Sequence, residues 1–233
     1  MPRQKIDKKY PNVNPSFGPG FLEDRPAAAA LIARCIALWS DVEAGLALLL
    51  ARMLQANTEP AIAMFLRIEG SRMQGEILNT VAEVVLDNKD YELFGALMIY
   101  KRSIEAERNA LAHGRFGGSD QIKDGIAWIN PMHLTRHTVS ITRTGVTDEA
   151  MQWLRDHTYV YELADLETIA RDTQDLYNQI EAFAGYVWAM FDPAPDRDSW
   201  RAARYPQLCS APRIAQALTQ LRESQKNTPE ARR

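Results

Sequence analysis

Between positions 26 and 55, Ile32, Ile36, Trp39, Val42, Leu46, Leu49 and Met53 recur at steps of three and four. At about 100° per residue they share one side of an α-helix, so the stretch predicts a long helix with a buried face. Such a helix draws most of its stability from covering that face, which calls for further helices with matching stripes. Residues 59–87 carry Phe65, Ile68, Ile77, Val81 and Val84 at helical spacing. Pro60 falls in a first turn and Gly70 and Ser71 mark a break, so two shorter helices are expected here. A third main helix is predicted over residues 90–113 from Phe94, Leu97, Ile104 and Leu111, with Gly114 as a left-handed cap after its end. The last long helix follows from Leu166, Ile169, Leu176, Ile180, Phe183 and Val187, and stops at "DPAPD".

Between residues 115 and 162 the period changes. "GIAWINP", "HTVSITRT" and "HTYVYE" are short, rich in β-branched and aromatic residues, and separated by Gly, Asp and Pro. They predict a small β-hairpin or meander. The expected fold class is therefore all-α: an up-and-down bundle of four main helices over residues 26–191, with a β insertion at about 115–162 before the last long helix. Residues 1–25 are read as a flexible N-terminal arm. Residues 192–233 are read as a polar tail with one short amphipathic helix around Ile214 and Leu221.

With 46% apolar and 24% charged residues among 233, the composition is that of a soluble globular protein. A net charge of -3 gives no global attraction to phosphate backbones, so any nucleic-acid contact would need a local basic patch; Lys101, Arg102, Arg108 and Arg115 could make one along the end of the third helix. The N-terminal stretch has basic residues but no apolar run behind them, and the most apolar helix is interrupted by Arg34, Asp41, Glu43 and Arg52. Neither a secretory leader nor a membrane span is expected, and cytoplasmic localisation is the default reading. Two distant cysteines make a disulfide framework unexpected.

The third helix ends in "ERNALAHGRFG", which holds one of four histidines in the chain. Arg108 falls within the arc occupied by Phe94, Leu97, Ile104 and Leu111 instead of on the polar side. His113 lies about 140° round an ideal helix from Arg108, so the two meet only through the arginine's length or a distortion at the helix end. Asn109 stands four residues before His113, positioned to hydrogen-bond the ring and fix its tautomer. Glu105 stands four before Asn109 and three before Arg108. Two readings of this constellation remain open: a helix end capped by His113 and Gly114 with Arg108 paired to Glu105, or a site of chemistry.

"RNALAH", at the end of the third main helix, resembles the R-x-x-x-x-H motif of the HEPN superfamily, in which a polar residue, often Asn, follows the arginine. "WSDVE" in the first helix is a softer likeness, and the resemblance spans residues 26–191. It implies a metal-independent endoribonuclease, of toxin or antiphage-effector type, working as a homodimer with the motifs of both subunits facing one cleft. RNA is the implied substrate, and a toxin of this kind would be matched by an antitoxin or immunity partner. The resemblance assigns Arg108, Asn109 and His113 to catalysis, with Glu105 and Glu43 in supporting positions. It implies no cofactor. In some members a tyrosine two residues after the histidine is modified by a partner enzyme; Arg115 occupies that position here. Other members have lost catalysis, and the alternative function is a non-catalytic dimeric module that binds nucleotide, RNA or protein.

His133 and His137 stand four apart in "HLTRH", a metal-ligand spacing on a helix. The segment reads as loop or strand, however, and no cysteine or third histidine completes a set, so no metal site is expected. His157 reads as a turn or strand-edge residue. Trp128, Trp153, Tyr159 and Tyr161 could stack bases or pack against the helices. Arg197, Arg201, Arg204 and Arg213 belong to the polar tail. No glycine-rich phosphate loop, nucleophile elbow or paired-carboxylate motif occurs, which leaves NTP hydrolysis, acyl transfer and glycoside hydrolysis without support.

Overall fold

The computed structural model describes residues 3–226, and the chain is mainly helical with a small antiparallel sheet. In chain order the elements are β1 (Gln4–Lys5), α1 (Ile6–Lys9), β2 (Ser16–Phe17), a 3-10 turn (Pro19–Leu22), α2 (Pro26–Met53), α3 (Thr58–Leu66), α4 (Ser71–Val85) and α5 (Asn88–His113). There follow β3 (Arg115–Gly118), β4 (Gly125–Ile129), α6 (Pro131–Thr144), α7 (Asp148–His157), β5 (Thr158–Glu162), α8 (Leu163–Trp188), α9 (Arg197–Ser210) and α10 (Pro212–Lys226). Among the described residues no helix is long and apolar enough to cross a membrane. Contacts divide the chain into two compact units: residues 3–38 with Ile104–Thr173, and Trp39–Ser103 with residues 174–226.

In the first unit all five strands form one antiparallel sheet in the order β1-β5-β4-β3-β2. Side chains alternate across it with a period of two. Ile126, Trp128 and Tyr161 face a core made with Ala28, Ile32 and Cys35 of α2, Leu111 of α5, and Leu166 and Ile169 of α8. Ala127 and Val160 point the other way, onto Ile6, Val13 and Ile122. β4 is buried on both faces, hence its unbroken apolar run.

The N-terminal residues expected to be a flexible arm supply both edge strands, and Ile6 is fully buried. Strands of two residues carry no readable period. "HTVSITRT", expected as a strand, lies within α6. Asn130 caps that helix by accepting from the Met132 N–H at 2.9 Å, Pro131 takes its first position, and Gly145 ends it at φ 77°. The threonines that suggested a strand donate their hydroxyls back along the helix, Thr138 to Leu134 and Thr142 to Thr138. α7 is capped by Thr147, whose Oγ1 accepts from Ala150 at 3.2 Å. The β insertion is thus a mixed one, strands β3 to β5 with a helical pair between the last two.

In the second unit the expected polar tail is also ordered. α9 buries Leu208, and α10 buries Ile214, Ala217 and Leu218. Arg201 pairs with the fully buried Asp90, whose other oxygen accepts from Tyr186 at 2.8 Å, while Arg222 grips both oxygens of Glu92. Residues 1, 2 and 227–233, parts of the expected arm and tail, lie outside the described residues. Two other placements differ: Val84 is 83% and Ile36 36% exposed, α4 burying Leu78 and Ala82 instead.

Burial of the α6–α7 pair is coupled to protonation. His133 is held below the ordinary histidine range by burial, reinforced by His157, Arg136 and Lys5, and His137 is lowered by burial alone. The unfolded chain therefore binds more protons than the folded one between those lowered values and about 6.5. Stability should be fully present above about pH 6.5 and decline as the pH falls through the lowered range. Urea midpoints at several pH values should show this decline in the wild type and a flatter profile in a His133→Gln/His137→Gln variant; parallel profiles would refute it.

Candidate functional site

The last two turns of α5 are held by the sheet along one stripe. Glu107 is buried, and its Oε2 accepts from the Tyr161 hydroxyl on β5 at 3.3 Å. The same hydroxyl accepts from Arg3 at 3.1 Å, and burial pushes the phenol up, so it keeps its proton. Trp128 on β4 donates its indole N–H to the Ala110 carbonyl at 2.8 Å, the oxygen that also receives the Gly114 N–H at 2.9 Å. Leu111 enters the core beside them. Positions 107, 110, 111 and 114 form one stripe of an α-helix, which turns residues 108, 109 and 113 away from it.

Of the residues singled out in the sequence, Arg108, Asn109 and Glu105 are half-buried and His113 is exposed. Arg108 Nη1 donates to Asn109 Oδ1 at 2.9 Å. The expected bond from Asn109 to the His113 ring does not form: the amide oxygen turns to its sequence neighbour. Glu43 is placed in the second unit, where its Oε1 accepts from the Trp39 indole at 2.9 Å. Its partner is thus the adjacent helix-turn tryptophan. Lys101, counted as part of a basic strip, is buried, with its ammonium 5.6 Å from the centre of the Trp39 ring. Arg102 and Arg115 remain exposed.

Gly114 does not have the left-handed conformation expected of it; among the described residues, the glycines with positive φ are Gly70 and Gly145. Its reason is close approach, since a Cβ at this position would lie 1.7 Å from Trp128 Nε1. Glu107, Trp128 and Gly114 are therefore the residues that position the motif. In the sequence Gly114 was marked only as a cap and Trp128 only as a packing or stacking residue, and Glu107 carried no signal of this role. Beyond the helix end a cavity of about 590 Å³ opens, lined by Gly114, Arg115 and Phe116, by Phe17 and Leu22, and by Thr138 of α6. Its volume is within the range of about 300–1,000 Å³ usual for small-molecule sites.

The other histidines are brought together elsewhere in this unit. His157 stacks on Trp153 at 4.0 Å, His133 meets His157 edge-on at 4.5 Å, and His137 lies parallel to Trp153 at 6.4 Å. No group of three or more His, Cys, Asp or Glu that could hold a metal ion occurs among the described residues.

The end of α5 offers an exposed imidazole and a guanidinium more than one turn earlier, and the cavity begins at the residues that follow, Gly114 and Arg115. Its dependence on the sheet is measurable. Gly114→Ala should cost about 1–3 kcal/mol by forcing the indole off the Ala110 carbonyl; a fall of several degrees in Tm and a shifted Trp128 indole N–H resonance are expected, and an unchanged resonance would refute the contact. Comparison of the chain with protein-family models, with curated proteins and with solved structures returns no match.

Proposed function

We propose that this chain is a HEPN-type, metal-independent endoribonuclease built on a four-helix bundle and acting as a homodimer, as a toxin or antiphage effector with RNA as its substrate. The observation that carries the reading is the presentation of "RNALAH": Arg108 and Asn109 are half-buried and hydrogen-bonded together, and His113 is exposed at the helix end, one residue before the cavity lining starts at Gly114. In the reaction the ribose 2′-oxygen attacks the adjacent phosphorus and the P–O5′ bond breaks. His113 takes the proton from the 2′-hydroxyl or delivers one to the departing 5′-oxygen. Arg108 neutralises charge gathering on the phosphorane oxygens with its planar fork of donors. The products are a 2′,3′-cyclic phosphate and a 5′-hydroxyl.

One observation favours a second reading, a non-catalytic binding module: among the described residues no hydrogen bond to the His113 ring is formed, and the Asn109 oxygen is engaged by Arg108. In the dimeric enzyme the second subunit has to complete that orientation; in the binding module it need not.

The deciding experiment is cleavage of total tRNA and a structured mRNA in EDTA by the purified protein, beside His113→Ala and Arg108→Ala variants matched in size-exclusion profile and Tm. The enzyme reading expects cyclic-phosphate ends and a loss of about 10²-fold or more in each variant. Wild type and variants equally inert would transfer the reading to the binding module.

A further inference from the structure

A second cavity, of about 260 Å³, lies in the groove between α6 and α7. Arg136, His137 and Ser140 line it from α6, Ala150 and Trp153 from α7, and no carboxylate is among these lining side chains. Arg136 and Ser140 are exposed, whereas His137 is 7% exposed and its Nδ1 has no hydrogen-bond partner among the described residues. A buried nitrogen left without a partner has lost its hydration with nothing in return, a deficit that a ligand in the cavity can relieve. The aromatic wall is fixed in advance, since Trp153 is stacked by His157 at 4.0 Å and by His137 at 6.4 Å with an interplanar angle of 2°.

Two cations stand near the α6 side of the cavity. His133 lies against His157, with Arg136 and Lys5 near enough to hold its proton affinity down. The acids on the facing element are Asp148 and Glu149 in the first turn of α7 and Asp156 in its last turn; Glu149 is occupied with the cap residue Thr147, and Asp156 accepts from Gln152 at 3.0 Å. Ala150 belongs to that same first turn, the positive end of the helix dipole.

We propose that this cavity binds a small phosphate monoester, the phosphate held by the Arg136 guanidinium, the Ser140 hydroxyl and the His137 imidazole, and a ring-sized organic body resting on Trp153 and Ala150. Three donors suit the three free oxygens of a phosphate monoester better than the two of a carboxylate. The volume lies just below the range of about 300–1,000 Å³ usual for ligand pockets, so it admits a body of sugar size and not a polymer. An anion beside His137 favours its protonated form, so binding tightens as the pH falls.

Ribose 5-phosphate, inorganic phosphate and, at matched ionic strength, sulfate are titrated into the full chain while the imidazole nitrogens of the four histidines and the indole N–H of Trp153, which reports on the cavity when His137 is replaced, are followed by NMR. The expected result is a saturable shift at His137 with ribose 5-phosphate, at least about tenfold tighter than with inorganic phosphate. Arg136→Ala and His137→Gln should each weaken binding, read at Trp153, by about tenfold or more, with the His113 signal unchanged in both and Tm unchanged in the variant of the exposed Arg136. Tightening between about pH 7.5 and pH 6 should be present in the wild type and absent from His137→Gln. An equal response to sulfate, no saturable shift at His137, or undiminished binding by Arg136→Ala would each overturn the assignment. Inorganic phosphate binding as tightly as the ester would overturn the ring-sized body. None of these readings depends on RNA cleavage, so this proposal and the ribonuclease reading stand or fall separately.

Discussion

The first unit turns on one indole. Trp128 fills the core side of the central strand, shares the Ala110 carbonyl with the backbone of Gly114, and lies so close to Gly114 that no larger residue fits there. A helix normally ends with carbonyls left to water or to a cap; here a side chain from the sheet takes one of them, and the chain passes directly from α5 into β3. The position of His113 and the start of the sheet are therefore one structural fact. Arg3 reinforces it from the N-terminal edge, its guanidinium 4.3 Å from the centre of the Trp128 ring and 5.1 Å from that of Tyr159.

The second unit uses a different device. Asp90, near the start of α5, is fully buried and satisfied by Tyr186 of α8 and Arg201 of α9. A buried carboxylate is tolerated only with partners of this kind, and meeting that demand draws a polar, arginine-rich segment into the fold. The cation of Arg201 also lies 4.5 Å from the centre of the Tyr186 ring, so one side chain closes both the ionic and the aromatic contact.

How much of this was legible in the sequence depends on whether the governing interaction was local. The long helices were, because α2, α5 and α8 each repeat an apolar stripe over many turns. So were β4 and β5, whose aromatic and β-branched runs are bounded by turn residues. α6 was not: its Val, Ile and Thr content argued for a strand, and the deciding signals were the Asn-Pro cap and the terminal Gly. The edge strands could not be read from two residues each, since their partners are more than a hundred positions away. At the candidate site, the sequence placed the end of the helix at His113 but misjudged its wiring. Gly114 answers to a tryptophan fourteen residues on, and Asn109 bonds backwards to Arg108 where helical spacing had pointed forwards to His113. Arg201 looked like a solvated tail residue because Asp90, far upstream, gives no local sign of its need.

The origin of both sheet edges in the first seventeen residues has a consequence for how the chain comes into being. β3 and β4 can pair soon after they are synthesised, but β5 follows only after α6 and α7, and β1 pairs solely with β5. The residues of β1 thus wait for nearly the whole first unit before their register exists, and long-range closure of this kind is slow. Until then the apolar run of β4 lacks its neighbour and the end of α5 lacks its anchoring relay through Tyr161. The histidine-bearing turn reaches its final setting late in biogenesis, after most of the surrounding helices have already been made.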